Sequence, residues 1–444
     1  GIIDTGIWPE HPSFSDPDPS GKPYEPLGPP NGPPLECNFG NTAWNPNDAP
    51  FECNNKLLGA YRFMATYDAV VGIDATEFES ARDNDGHGSH TGSTAAGNAD
   101  VPASIMGAEY GNVSGIAPRA RVIAYKVCGG PRGSCYASDS AAAVEQAIED
   151  GVDVLNFSIG GGSNPYSDAV SLAFLAAYEN GIFVAASAGN SGPGADTTGH
   201  REPWTTTVGA STQERTSKAF LDLPEPGGDS LQLEGVSVTG DYTGQVVLAA
   251  DYGDELCQFA FPAGTFNGEI VACARGATAR NLKSRNVYLG GAGGFVLYNV
   301  VPQTLSTDNY WVPGLHIDDV SGVALLDFMD AYSTTVVTGA IDGGVVDVAQ
   351  GDVMASFSSR GGPGQILGIS KPDITAPGVQ ILAAESGMPA FPDHPESGAG
   401  PPGESFKAIG GTSMASPHIA GSGALLKALH PDWTPGQIKS ALMT

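Results

Sequence analysis

Four short segments of this 444-residue sequence hold side chains suited to nucleophilic catalysis. Ile2-Ile3-Asp4-Thr5-Gly6 puts an acid at the end of an apolar strand. Asp85-Gly86-His87-Gly88-Ser89-His90-Thr91 puts a histidine at a helix start. Ser187-Ala188-Gly189-Asn190-Ser191-Gly192 ends a strand in an asparagine loop, and Gly410-Gly411-Thr412-Ser413-Met414-Ala415-Ser416-Pro417-His418 opens a helix with a serine. A serine hydroxyl is a poor nucleophile at neutral pH, so a base must take its proton. The base needs a partner that fixes its tautomer and balances its charge. The tetrahedral oxyanion needs fixed donors. Ser413 suits the nucleophile, because free N–H groups and the helix dipole favour negative charge at a helix N-terminus. His87 stands between Gly86 and Gly88, which leaves its ring unobstructed. Asp4 is a lone acid in an apolar strand, where a charge requires a partner. Asn190 offers a side-chain N–H to the oxyanion.

Other chemistries fit these residues less well. Asp4-Thr5-Gly6 also matches half of a two-acid protease site, but the second, proton-sharing copy is missing. His87-Gly88-Ser89-His90 lacks the His-Glu-x-x-His zinc pattern. Asp83-Asn84-Asp85-Gly86 resembles half of a calcium loop without its later Glu, and reads as a turn that presents His87. His90 and His418 read as structural, and Ser416, deeper in its helix, as a weaker nucleophile. No metal site and no cofactor are expected, with calcium left open.

The elements that must position these groups follow from periodicity. Strands are expected over residues 1–6, 121–127, 152–159 and 182–186, and helices from His87, over 138–150 with Ser138 or Asp139 as N-cap, over 168–180 and over 412–429. Alternating strands and helices predict a parallel α/β architecture. Between about 236 and 345 the texture changes to short β-type runs (245–250, 268–274, 293–299) with helices near 279–289 and 320–332, enough for a small α+β domain. The α/β pattern is thus expected to be interrupted: catalytic domain 1–235, insert 236–348, catalytic domain 349–444.

Composition narrows the partners. There are 49 acidic residues against 20 basic, a net charge of −29. Such a chain repels phosphate backbones and anionic membrane surfaces, so neither nucleic acid nor membrane is an expected partner. Cys37 and Cys53, Cys128 and Cys135, and Cys257 and Cys273 form three sequence-local sets. Several connectivities stay open, nearest-neighbour pairing being the simplest. Disulfides favour an exported, extracellular protein. Asn112-Val113-Ser114 is a glycosylation sequon; Asn156-Phe157-Ser158 is another, expected to be buried in its strand. The sequence opens directly on a strand, as though its natural start lay upstream.

With these residues in hand, the chain resembles the subtilisin-like serine proteases, and most closely their plant-type, cucumisin-like branch. The likeness rests on residues 6–16 (GIWPEHPSFSD), 82–91 (RDNDGHGSHT), 115–128 (GIAPRARVIAYKVC), 187–193 (SAGNSGP), 357–362 (FSSRGG), 371–384 (KPDITAPGVQILAA), 410–421 (GGTSMASPHIAG) and 431–444 (PDWTPGQIKSALMT). Residues 268–276 and 289–299 look like the protease-associated domain that interrupts the plant-type enzymes. The resemblance implies that Asp4 orients the imidazole, His87 is general base then acid, and Ser413 is the nucleophile. It implies an oxyanion hole of Asn190 and the Ser413 N–H. Ser158, Ile159, Gly160 and Gly161 would form one wall of the specificity pocket, with Ala188 and Gly189 opposite. Such a roomy apolar pocket separates substrates differing by one methylene by only ~1–3 kcal/mol, which implies broad specificity for protein and peptide substrates. It also implies a pro-region, a mature N-terminal segment and a C-terminal β-domain that this sequence lacks, and possible self-association through the insert. Two rivals keep the scaffold: a catalytically silent binding protein, and an esterase or peptide ligase using the same triad.

Overall fold

The computed structural model describes residues 1–27, 34–129, 134–225, 228, 230–364, 368–388 and 400–444. Besides two small hairpins (Val101–Ile105 with Ala108–Val113, and Cys128–Gly129 with Ser134–Cys135), six strands come first: β1 (Ile2–Asp4), β2 (Leu57–Arg62), β3 (Val122–Lys126), β4 (Val154–Phe157), β5 (Phe183–Ser187) and β6 (Thr206–Ser211). Seven more follow: β7 (Arg215–Pro224), β8 (Ser230–Val236), β9 (Tyr242–Leu248), β10 (Ile270–Ala274), β11 (Gly294–Tyr298), β12 (Gly314–Ile317) and β13 (Thr338–Val348). The chain then returns through β14 (Ile374–Pro377), β15 (Ile381–Ala384) and β16 (Phe406–Ile409). The helices are α1 (Ala65–Val70), α2 (His87–Ala96), α3 (Ala137–Glu149), α4 (Ala169–Glu179), α5 (Arg280–Gly290), α6 (Asp319–Ala331), α7 (Thr412–Leu429) and α8 (Pro435–Met443).

The first sheet is seven-stranded and parallel, in the order β14-β6-β5-β4-β1-β3-β2. Its strands are almost continuously apolar because both faces are covered, as parallel sheets require. Successive residues serve opposite layers. Ile2, Ala124 and Phe183 pack with Ala415, Ile419 and Ile438 of α7 and α8. Ile3, Tyr125 and Val184 pack with Val144 and Phe174 of α3 and α4. This is α/β architecture, with β1 inside the sheet between β4 and β3 and its carboxyl end opening beside that of β4.

The second sheet closes on itself as a barrel, β7-β8-β12-β11-β10-β9-β13. Its strands alternate too: Ile270, Ala272 and Ala274 join the cluster that receives Leu325 and Phe328 of α6, while Val271 and Cys273 join Val287 of α5. The barrel takes in β7 and β8, so it starts at Arg215 rather than at the boundary expected at 236. The reason is register: β7 pairs with β8 on one side and with β13 on the other, and nothing local in the sequence marks that closure. The barrel is also tied to the returning chain. Thr307 Oγ1 donates to the Ala408 carbonyl at 3.0 Å, and Asn309 Nδ2 to the Phe406 carbonyl at 2.7 Å, both on β16.

Helix boundaries agree closely with periodicity, with one exception in capping. The residue before α3 is Tyr136, without a side-chain cap, rather than Ser138 or Asp139. The Asp139 carboxylate instead accepts the Thr66 and Tyr67 N–H groups at 2.9 and 3.0 Å, satisfying open donors at the start of α1. Three disulfides join nearest neighbours: Cys37–Cys53, Cys128–Cys135 and Cys257–Cys273. Among the described residues no helix is long and apolar enough to cross a membrane.

Candidate active site

Asp4 ends β1, an interior strand of the sheet, and is buried. Its Oδ1 lies 2.7 Å from His87 Nδ1 and accepts the Thr5 N–H at 2.8 Å; Thr91 Oγ1 donates to Oδ2 at 3.3 Å. A carboxylate only accepts, so Nδ1 carries the proton and Nε2 is left free to take one. Burial pushes the His87 pKa down, but the Asp4 charge and hydrogen bond outweigh it, and the net shift is upward. His87 is the first residue of α2, and its side chain is 27% exposed.

The turn before His87 is built on Asp83, which sequence reading treated only as part of a loop. Its Oδ1 accepts from Thr5 Oγ1 and from the N–H groups of Asp85 and Gly86; its Oδ2 accepts from the Ser89 N–H and Oγ. Burial alone would raise the Asp83 pKa, but these bonds hold it below the usual carboxylate value. The Thr5 hydroxyl in turn accepts the Gly88 N–H at 2.8 Å. Thr5 and Asp83 thereby lock the end of β1 to the start of α2, which fixes the Asp4–His87 geometry.

Ser413 lies in the first turn of α7, partly exposed. Its Oγ donates to the Ser158 carbonyl at 3.1 Å; among the described hydrogen bonds none joins it to His87. Asn190, exposed after β5, accepts the Thr412 N–H and Oγ1 through Oδ1, at 2.9 and 3.0 Å. A backbone N–H can only donate, so that atom is the carbonyl oxygen, and the amide NH₂ is left over. A side chain built on Gly411 would lie 3.6 Å from that nitrogen. The Asn190 NH₂ therefore faces the start of α7.

A buried polar network stands behind Ser413. Pro417 lies inside α7 and has no N–H to give the carbonyl four residues earlier. That carbonyl belongs to Ser413, and it accepts Ser158 Oγ at 2.8 Å instead. Asn156 Nδ2 donates to Ser158 Oγ at 3.0 Å, and its Oδ1 accepts Ser416 Oγ at 2.8 Å. Ser416 is thus committed to structure, and the Asn156 sequon is fully buried. His90 Nε2 pairs with the Ile381 carbonyl and His418 Nδ1 with the Met414 carbonyl. Asn112 of the other sequon is exposed.

The two expected pocket walls leave the ends of adjacent strands. Ser158 and Ile159 follow β4, with Gly160 and Gly161 exposed; Ala188 and Gly189 follow β5. The Gly189 N–H donates to Thr412 Oγ1 at 3.1 Å, tying that wall to α7. His200, which sequence reading missed, braces the other wall. It is buried, with Nε2 3.0 Å from the Ile159 carbonyl and Nδ1 3.3 Å from Glu202. A Cβ on Gly161 would meet the His200 ring at 2.4 Å, so only glycine fits there. Burial would raise the Glu202 pKa, but His200 pulls it down to about 2. Among the described residues no cluster of three or more His, Cys, Asp or Glu could hold a metal ion.

Fold and site together define a parallel α/β protein in which a buried acid–imidazole pair and a helix-borne serine share one sheet end. Comparison with known proteins gives the family: the chain matches the Subtilase (peptidase S8) family across residues 1–444, and it belongs to that family. It is 38% identical over 476 residues to subtilisin-like protease SBT1.5 of Arabidopsis thaliana, and 39% over 472 residues to subtilisin-like protease SBT1.6 of the same plant. All of this chain is covered in both cases, but only 58% of each relative. A cold-adapted subtilisin-like serine proteinase of known structure aligns over 99% of this chain and 79% of its own, with 18% identity and a TM-score of 0.41, and adds nothing to the family match.

Proposed function

We propose that this chain carries the catalytic unit of a secreted serine endopeptidase acting on protein or peptide substrates. The observation that carries the reading is the 2.7 Å contact between buried Asp4 and His87 Nδ1, which leaves Nε2 as a proton acceptor. In this reading Ser413 Oγ attacks the scissile carbonyl carbon and His87 Nε2 takes its proton. The carbonyl oxygen becomes an oxyanion, held by the Asn190 NH₂ and the Ser413 N–H. The intermediate collapses, His87 gives the proton to the leaving amine, and an acyl-Ser413 ester remains. Water then attacks the ester, with His87 as base, and frees Ser413. Rotation of Ser413 Oγ from the Ser158 carbonyl toward His87 precedes attack, in keeping with the looser hydrogen bonds of substrate-free sites.

The walls after β4 and β5 hold the side chain preceding the scissile bond, and their small residues support broad, apolar preference. The three disulfides support export. The barrel is the protease-associated insert of this reading, serving substrate access or self-association rather than chemistry. The test is labelling of the full-length protein with a fluorophosphonate, followed by peptide digestion. Labelling at Ser413, lost together with amide hydrolysis in Ser413→Ala, is expected. A full-length protein that hydrolyses peptides without labelling at Ser413 would sink the mechanism.

A further inference from the structure

Glu385 directly follows β15, and Lys407 lies on the paired strand β16, opposite Ala383 and diagonal to Glu385. Their side chains pair at 2.9 Å and are largely buried, at 16% and 12% exposure. The flanking residues Phe406 and Ala408 turn into the apolar cluster of Val101, Ile105 and Val238, so Lys407 turns the other way, toward the turn before His87. Lys407 Nζ also donates to the Asp85 carbonyl at 3.4 Å. Gly86 lies in the left-handed region, with φ 88°. A Cβ on Gly86 would stand 1.5 Å from Glu385 Oε1 and 2.8 Å from Lys407 Nζ. The ion pair therefore fills the space a side chain would take on the residue immediately before His87.

We propose that Glu385 and Lys407 are positioning residues for His87, clamping the Asp85–His87 turn to the β15–β16 hairpin and setting the charge around the imidazole. The proposal rests on the reading of His87 as the general base. Neither residue touches the reacting atoms; both act through Gly86 and Asp85.

The charged groups facing this corner are Asp4 from β1, Asp83 and Asp85 from the turn, and Glu385 and Lys407 from the hairpin; His90 from α2 also faces it, with burial and Lys407 holding its pKa well below the usual value. Lys407 opposes protonation of His87, while Asp4 and Asp85 favour it. Burial lifts the Glu385 pKa to about 7 against the pull of Lys407, with Asp83 and Asp85 adding to the rise. The pair thus changes its net charge across neutrality, within the range where an imidazole base titrates.

The experiment measures kcat and KM against pH for the full-length protein, and titrates the His87 imidazole by NMR, assigned through loss of its signal in His87→Ala. Glu385→Gln removes a negative charge and should move the acidic limb and the His87 titration down by about half a pH unit. Lys407→Met removes a positive charge and should move both up by a similar amount. Lys407→Arg keeps the charge and should hold the limb in place. In the first two variants kcat should fall about tenfold with KM unchanged, since the base is less well held. Opposite shifts in the two variants support the proposal. No shift in either, or shifts of the same sign, overturn it. If the intact protein shows no hydrolysis, the functional reading fails separately, and the NMR titration still decides whether the ion pair governs His87.

Discussion

At the scale of single residues, the site is a set of oriented dipoles and charges. Asp4 fixes which nitrogen of His87 is bare, and Thr412 fixes which end of the Asn190 amide is left free to donate. The second point gives a direct prediction. Asn190→Ala removes one oxyanion donor and leaves the Thr412 N–H unpaired, so kcat should drop by ~10²–10³-fold with little change in KM, as expected for one such donor. Steady-state kinetics on a peptide substrate checks this; an unchanged kcat means the amide does not meet the oxyanion. The four groups proposed for catalysis could be picked out in the sequence because such chemistry admits few residue types at few places: an acid at a strand end, and a candidate base and nucleophile at helix starts. Asp83, Glu385, Lys407 and His200 were not. Glu385 and Lys407 reach the turn before His87 from far along the chain, His200 meets the Ile159 carbonyl, and Asp83, though bonded mostly to near neighbours, is tied to Thr5; no local pattern marks these distant partners.

At the scale of elements, the sheet ends carry the walls proposed for the pocket, and two helices carry His87 and Ser413. Six of the eight helices and seven of the sixteen named strands were readable from period and punctuation, where apolar runs closed by glycine leave little choice. What could not be read was how elements exchange hydrogen bonds. Pro417 frees the Ser413 carbonyl, and β4 answers with Ser158 and Asn156. Asn156→Ala should strand the Ser416 hydroxyl and remove a donor to Ser158, both buried. The expected cost is about 1–3 kcal/mol per group left unsatisfied, read as a lower urea midpoint. A midpoint equal to that of the parent protein would show that the network bears no load. Asp139 makes the same point: it reads as the cap of its own helix but serves the start of α1.

At the scale of the whole molecule, two histidines deep in different parts of the structure contribute to the response to acid. Burial lowers His11 to about 4, and burial together with Arg275 and Arg280 lowers His316, in the barrel, to about 3. Both are depressed from 6.5. The unfolded chain therefore binds protons that the folded one refuses between those values. The stabilisation is fully present above pH 6.5 and is lost as pH falls toward 4 and 3. Melting temperature should decline over this window, and His316→Asn should flatten the decline. A variant with the parent's pH slope would remove His316 from the account.

The barrel was legible as a change of texture, but not at its edges, because β7 closes it through pairings that only the folded chain reveals. The bonds from Thr307 and Asn309 to β16 carry one further consequence. β16 runs straight into Gly410, Gly411 and α7, the helix that carries Ser413. The barrel is therefore not a cassette that can be exchanged for another by cutting at its two ends. A graft that keeps the cut points but loses those two donors would leave the Phe406 and Ala408 carbonyls stranded a few residues from Ser413. Any successful transplant must carry the 304–309 loop with it.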